Sequence, residues 1–298
     1  MSWYKDKKNE WKQIIETVAR YYSRSEAMVE KDIIQSMFLY ELSKTNLPLV
    51  FKGGTSLSKA FQLIERFSED IDLSSYKKMT TSAKKKTYRF IIEVGNRLGL
   101  NLTNKEMVKS GHDYNQYVFE YESLFFNRPL NIIVETNYYL TVYPIERHEI
   151  YNFVATFLKE NNASMPFEFE ALSFEMNVQT LERTFIDKVF AVCDYYLQNM
   201  EDRDSRHLYD IYKMMEHIDF DEDLKRLMVQ VRKDRMASKN NPSADIKYNI
   251  RNLLKEIIDK HFYEKDFNSL TKKLLYEDIG YATAIEKGIG KLIDLDIF

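Results

Sequence analysis

Two periodicities alternate along the first half of the chain. Residues 25–44 carry Met28, Ile33, Ile34, Met37, Leu39 and Leu42 at helical spacing behind a candidate N-cap, Ser25, which predicts an amphipathic helix. The run LPLVFK, residues 47–52, is short, apolar and closed by a glycine pair, the pattern of a buried strand. In TSLSKAFQLIERF, Leu57, Ala60, Phe61 and Ile64 fall on one face, so a helix is expected to begin near Thr55. DIDLS is the next strand, and a polar helix over about 81–98 leads to YNQYVFEYES and PLNIIVETNYYL. These two β-rich segments are expected to pair as antiparallel neighbours of the first two strands.

Beyond residue 150 the pattern changes, and from Thr180 onward only helical spacing remains. The segments are LERTFIDKVFAVCDYYLQ, SRHLYDIYKMMEHI, DEDLKRLMVQVRKDRM, ADIKYNIRNLLKEIIDK and a tail ending in LIDLDIF, with SKNNPS, 238–243, as a loop. The predicted class is α+β: a small mixed sheet flanked by helices in an N-terminal domain, 1–175, followed by a helical C-terminal domain, 176–298.

Composition narrows the class of protein. The chain has 298 residues, 44% of them hydrophobic, which is enough for a sizeable core. The low glycine and proline counts, 8 and 5, favour helices over turn-rich β architecture. One cysteine excludes an intramolecular disulfide and fits a reducing compartment. The polar opening MSWYKDKKNEW carries no signal-peptide pattern, and no run is long enough to span a bilayer, so no membrane partner is expected and the cytoplasm is the expected location. A net charge of −3 does not mark the whole chain as a nucleic-acid binder. Two stretches are locally basic: Lys77, Lys78, Lys84, Lys85, Lys86 and Arg89, then Lys225, Arg226, Arg232, Lys233 and Arg235. From the pattern alone, each reads first as a solvated helix face.

The densest chemistry lies in KGGTSLSKAFQLIERFSEDIDLSS, 52–75. Residues two apart in a strand share a face, so Asp70 and Asp72 project together while Ile71 and Leu73 enter the core. Paired carboxylates repel unless a cation lies between them, and hard oxygen ligands suit Mg²⁺, which completes its shell with waters and phosphates. Gly53-Gly54-Thr55-Ser56 lets backbone N–H groups approach an anion at a helix start. Singly, each is also the pattern of a tight turn or a solvated strand end; together, one helix apart, they point to nucleotide chemistry. The five histidines show no metal-ligand spacing with Cys193, which argues against zinc. No G-x-x-x-x-G-K-(S/T) motif is present, which disfavours a P-loop ATPase.

A GG(T/S) turn, a helix and S-x-D-I-D-L resemble the signature of the nucleotidyltransferase superfamily related to DNA polymerase β and kanamycin nucleotidyltransferase. Within it, KGGTSLSK with RFSEDIDLS is similar to the AbiEii/AbiGii toxin family, which includes MenT-type toxins. EKD at 30–32, LERTFIDKVFA around Lys188 and SRHLYDIY around Arg206 and Asp210 extend the resemblance over most of 28–215.

The resemblance implies Mg²⁺-dependent transfer of a nucleotide from an NTP, with Mn²⁺ as a substitute. Asp70 and Asp72 would be metal ligands, and Gly53, Gly54, Thr55, Ser56 and Lys59 would hold the nucleotide. Glu135 in NIIVETN is the candidate third carboxylate, with Glu120 in YVFEYES as its competitor. Lys188 stands beside the core stripe of its helix, where a cation could offset transition-state charge, and Asp210 could orient it or accept a proton. Arg66 and Arg206 are candidates for phosphate or acceptor contact, and Ser68 matches the motif without a derivable role.

The implied acceptor is RNA, in particular a tRNA 3′ end, and the implied setting a toxin–antitoxin or abortive-infection (phage defence) system with a cognate antitoxin. A small-molecule or protein-hydroxyl acceptor, or a non-catalytic nucleotide-binding module, are the alternatives.

Overall fold

The computed structural model of the protein describes residues 6–295 and 297. Helices α1 (Lys8–Tyr21) and α2 (Glu26–Ser43) lead into strand β1 (Leu49–Lys52), helix α3 (Gly53–Lys59), strand β2 (Asp70–Ser75) and helix α4 (Thr81–Arg97). Strands β3 (Asn101–Leu102), β4 (Tyr114–Glu122), β5 (Pro129–Thr141) and β6 (Ile145–Tyr151), helix α5 (Phe153–Glu160) and strand β7 (Ser173–Gln179) follow. Among the described residues these strands form one seven-stranded sheet in the order β3-β4-β5-β2-β1-β7-β6. The chain separates into two compact units: residues up to Ala60 with Glu69–Val178, and Phe61–Ser68 with the residues from Gln179 onward.

Two expectations change in the first unit. The helix starting at the glycine pair ends at Lys59 and does not run through to Phe67. Gln62 has a φ of 54°, and the buried Arg66 bonds to Asp210 within the second unit. A buried guanidinium needs a carboxylate partner, and that requirement outweighs an apolar spacing that a helix would have satisfied. The second change is in strand direction. β1 and β2 are antiparallel, and so are β4 and β5, but β5 runs parallel to β2. Between residues 145 and 179, which carried no assigned elements, the chain adds β6, α5 and β7, with β7 parallel to β1.

Helix α2 forms where Ser25 caps it, accepting from the Met28 N–H. It is not the two-faced helix its spacing suggested, because Glu30, Asp32, Gln35 and Ser36 are buried along with Val29, Ile33, Ile34 and Phe38. Each polar group has an internal use. Glu30 accepts from Ser123 Oγ at 2.7 Å and Leu124 N at 2.6 Å; burial pushes its carboxyl above the usual range, with these bonds opposing. Gln35 Nε2 donates to the Glu69 carbonyl at 2.7 Å, next to the start of β2. Asp32 accepts from Phe153 N at 2.7 Å and is paired with Lys59 Nζ. Lys59 Nζ also donates to Ser36 Oγ at 2.9 Å, so α2, α3 and the start of α5 meet at one buried ion pair.

The second unit contains helices α6 (Leu181–Leu197), α7 (Arg206–Met214), α8 (Glu222–Arg235) and α9 (Ile250–Asp259). α9 starts later than its sequence segment, at the Asn249 cap, after the turn Pro242–Ala244. Two of the five basic residues of α8, Arg232 and Arg235, are spent inside the unit, while Arg226 and Lys233 are exposed. Arg235 binds Asp187 at 3.0 Å and Asp194 at 2.7 Å, and Arg232 donates to the carbonyls of Ala244, Asp245 and Tyr248. Among the described residues no helix is long and apolar enough to cross a membrane.

Asp32→Ala should leave the Lys59 ammonium and the Phe153 N–H buried without their carboxylate, at a cost of about 3–5 kcal/mol. Thermal and urea unfolding would measure it, and a loss below about 0.5 kcal/mol would show that this ion pair does not hold the three helices.

Candidate active site

The parallel pairing of β2 with β5 decides which carboxylates are neighbours. Lys52 on β1, Asp72 on β2, Glu135 on β5 and Gln116 on β4 are successive register partners, one row across four strands. Asp70 is two residues from Asp72 on the same face of β2, beside Ile133. Ile71, Leu73 and Val134 are buried on the opposite face. Glu120 shares the open face but pairs with Asn131, four residues along β5 from Glu135.

The glycine turn closes on this row. Gly53 has a φ of 80°, and a Cβ built on it would stand 2.1 Å from Asp72 Oδ2. Only glycine lets the backbone lie so close to that carboxylate. The Thr55 hydroxyl donates to the Asp70 carbonyl and the Ser56 hydroxyl to the Gly53 carbonyl, both from buried side chains. The Thr55 hydroxyl thus fixes the turn to β2 and the Ser56 hydroxyl closes the turn on itself, which leaves backbone N–H groups as what the Gly53–Ser56 segment can offer a phosphate. Lys59 departs from its expected place among nucleotide contacts: it is buried, its ammonium is committed to Asp32 and Ser36, and burial depresses its pKa despite the Asp32 charge.

Glu135 Oε1 accepts from Tyr114 Oη at 3.1 Å and from Gln116 Nε2 at 2.7 Å. Burial, then the charge of Glu135 with lesser effects of Asp72 and Asp70, raises the Tyr114 pKa, so all three carboxylates act on one phenol. Lys52, half-buried beside Asp72, was not singled out in the sequence; its position as the last strand residue before the glycine pair was the available signal. Among the described residues no three His, Cys, Asp or Glu side chains are already gathered as a metal cage. Asp70 and Asp72 still suit Mg²⁺, which commonly takes one or two protein carboxylates and completes its shell with water and phosphate. The fit rests on hard oxygen donors sharing a face and on the space a Gly53 Cβ would have filled.

In the second unit Asp210 is fully buried and receives Arg66 through two bonds, Nε at 2.7 Å and Nη2 at 2.8 Å, and Lys188 Nζ at 2.7 Å. Burial opposes ionisation of Asp210, but the charges of Arg66 and then Lys188 hold it well below the usual carboxylate range. Burial lowers the Lys188 pKa, with Asp210 opposing. Arg66, expected to be a phosphate contact, thus has its guanidinium engaged by Asp210 and the Phe67 carbonyl. Arg206 pairs with Asp204 at 2.9 Å, and Ser68 is half-buried. His207, passed over in the sequence, has Nδ1 3.4 Å from Lys188 Nζ. Burial and then the Lys188 charge push its pKa down to about 3, which keeps the ring neutral near pH 7.

A mixed sheet carrying an Asp-x-Asp strand and a glycine turn pressed against it is the arrangement of a nucleotidyltransferase. The sequence matches the family described as nucleotidyl transferase AbiEii toxin, type IV TA system, over residues 37–287, and the chain belongs to that family. The resemblance read from KGGTSLSK and RFSEDIDLS is borne out, and an NTP substrate and a cognate antitoxin follow from membership. Among solved structures, MenT4, a nucleotidyltransferase toxin from Mycobacterium tuberculosis H37Rv, is similar with a TM-score of 0.53 at 18% identity, over 94% of this chain and 88% of that one. At that identity the likeness is one of fold. JHP933 from Helicobacter pylori aligns with a TM-score of 0.47 at 18% identity, over 90% and 92% of the two chains. No curated protein matched.

Gly53→Ala should displace the Asp72 carboxylate and strain the turn, lowering nucleotidyl transfer at least about 100-fold for a stability loss of roughly 1–2 kcal/mol. Transfer assays paired with melting curves check this, and wild-type turnover would refute the tight approach.

Asp210→Asn should remove the stability that the depressed carboxyl provides at neutral pH. That contribution is complete above the unfolded value near 3.8 and fades as pH falls through the lower folded value, so the variant should be less stable at neutral pH and show a flatter stability curve below pH 4. Melting temperatures across pH would show it, and parallel curves for the two proteins would contradict it.

Proposed function

We propose that this nucleotidyltransferase toxin transfers a nucleotide from an NTP to an RNA acceptor, in particular a tRNA 3′ end, with Mg²⁺ held by Asp70 and Asp72 and Mn²⁺ able to replace it. The observation that carries the reading is the placement of Asp72: beside Glu135 in register, two residues from Asp70, with the Gly53 backbone against its carboxylate. Glu135 is the third carboxylate in preference to Glu120, because only Glu135 adjoins Asp72. The bound cation supplies charge neutralisation on the phosphates. The chain supplies backbone N–H groups from the glycine turn, and Lys52, in register with Asp72, is a further cation for triphosphate oxygens. Lys188, carried over from the family resemblance, offsets transition-state charge, and Asp210 with neutral His207 orients its ammonium.

The acceptor is supported by charge on α4. Lys85, Lys86 and Arg89 are exposed, and Lys77 and Lys78 are exposed between β2 and α4, while Lys84 is paired with Asp113. An RNA acceptor goes with a reaction in the cytoplasm, and abortive infection of phage-infected cells is the setting we read for this type IV toxin–antitoxin family member.

Incubation with each labelled NTP and Mg²⁺, with total RNA in one arm and protein extract in the other, distinguishes the acceptors. Label on RNA is expected; label only on protein or a small molecule would replace the RNA assignment, and no transfer at all would favour a non-catalytic module. Lys84, Lys85 and Lys86 changed together to Gln should flatten log K against log salt for tRNA by up to about two to three units and leave NTP affinity unchanged. Coincident salt slopes would return α4 to an ordinary solvated face.

A further inference from the structure

Glu135 is held asymmetrically. Both of its side-chain donors come from β4 and both bond to Oε1, the phenol of Tyr114 at 3.1 Å and the amide of Gln116 at 2.7 Å. Among the described residues Oε2 receives no hydrogen bond. Gln116 is the register partner of Glu135, and Tyr114 lies two residues away on the same face of β4. Both donors are exposed, Tyr114 by 42%, so water could satisfy each of them equally well. Two donors on one oxygen restrict rotation of the carboxylate and leave the other oxygen as the one offered outward.

We propose that Tyr114 and Gln116 are positioning residues that fix which oxygen of Glu135 is presented to the divalent cation of the site. The proposal rests on the reading that Asp70, Asp72 and Glu135 serve that cation. Neither side chain touches the cation in this account; they act through Glu135 by occupying Oε1. Outer hydrogen bonds of this kind tune metal affinity by roughly 10–100-fold.

The test is Mn²⁺ titration of the purified protein without nucleotide, following free Mn²⁺ by electron paramagnetic resonance, with melting curves of the metal-free proteins alongside. Tyr114→Phe and Gln116→Met nearly keep shape and remove the polar groups that donate to Glu135. Each is expected to weaken Mn²⁺ binding several-fold and the double variant about 10–100-fold, with unchanged metal-free melting temperature. Glu135→Gln and Asp70→Asn are measured in parallel. If Glu135→Gln weakens binding and the double variant does not, positioning is overturned while the site assignment stands. If Asp70→Asn weakens binding and Glu135→Gln does not, Glu135 serves no cation and the proposal falls with that part of the assignment. Affinity that falls only together with melting temperature would reduce the two residues to strand pairing.

Discussion

The contact between the Gly53 backbone and the Asp72 carboxylate is the constraint on which the first unit turns. It requires a residue without a Cβ at a positive φ, at the point where β1 passes into α3. It also requires β2 to lie antiparallel to β1 in the register that sets Lys52 opposite Asp72. The remaining pieces secure these two conditions. Thr55 binds the turn to the first residue of β2, and Gln35 holds the carbonyl just before it. Lys59 fastens the end of α3 to α2. A turn so tied brings its N–H groups and a carboxylate together before any substrate arrives, which is the condition for electrostatic catalysis at low reorganisation cost.

A second theme is the use of cations. Of the lysines and arginines that the sequence offered for phosphate, several are consumed by burial: Lys59 by Asp32, Arg66 by Asp210 and Arg235 by Asp187 and Asp194. Each of these charges would be expensive if left alone in the interior, so each carboxylate fixes its partner's position more than it adds net stability. The Arg66, Lys188 and Asp210 cluster joins two cations to one buried anion, with His207 kept neutral beside them. It holds an ammonium at a defined point in the second unit.

Local geometry was more legible in the sequence than the pairing of distant strands. Asp70, Asp72 and the glycine pair could be read because strand alternation and glycine's conformational freedom are local properties. Glu135 and Glu120 could not be separated, because the choice depends on a parallel register between strands sixty residues apart, and no local pattern encodes it. The overlong helix after Thr55 failed for a related reason: Arg66 is fixed by a partner 144 residues away, beyond the reach of helical spacing. Lys59 was expected among the nucleotide contacts from the resemblance alone, yet its side chain leaves on the α2 side, where Asp32 was already visible in EKD but without an evident partner. The donors on Glu135 were hidden in the same way, since Tyr114 and Gln116 become its neighbours only once β4 and β5 pair.

The central claim is that Asp70 and Asp72, backed by the glycine turn, form the metal and triphosphate site of this toxin. Crystals grown with Mn²⁺ and a non-hydrolysable NTP, examined by anomalous scattering, test it most directly. The account predicts a manganese peak bonded to both carboxylates with triphosphate oxygens against the Gly53–Ser56 backbone. A peak distant from both aspartates, or a nucleotide bound without contact to that turn, would contradict it.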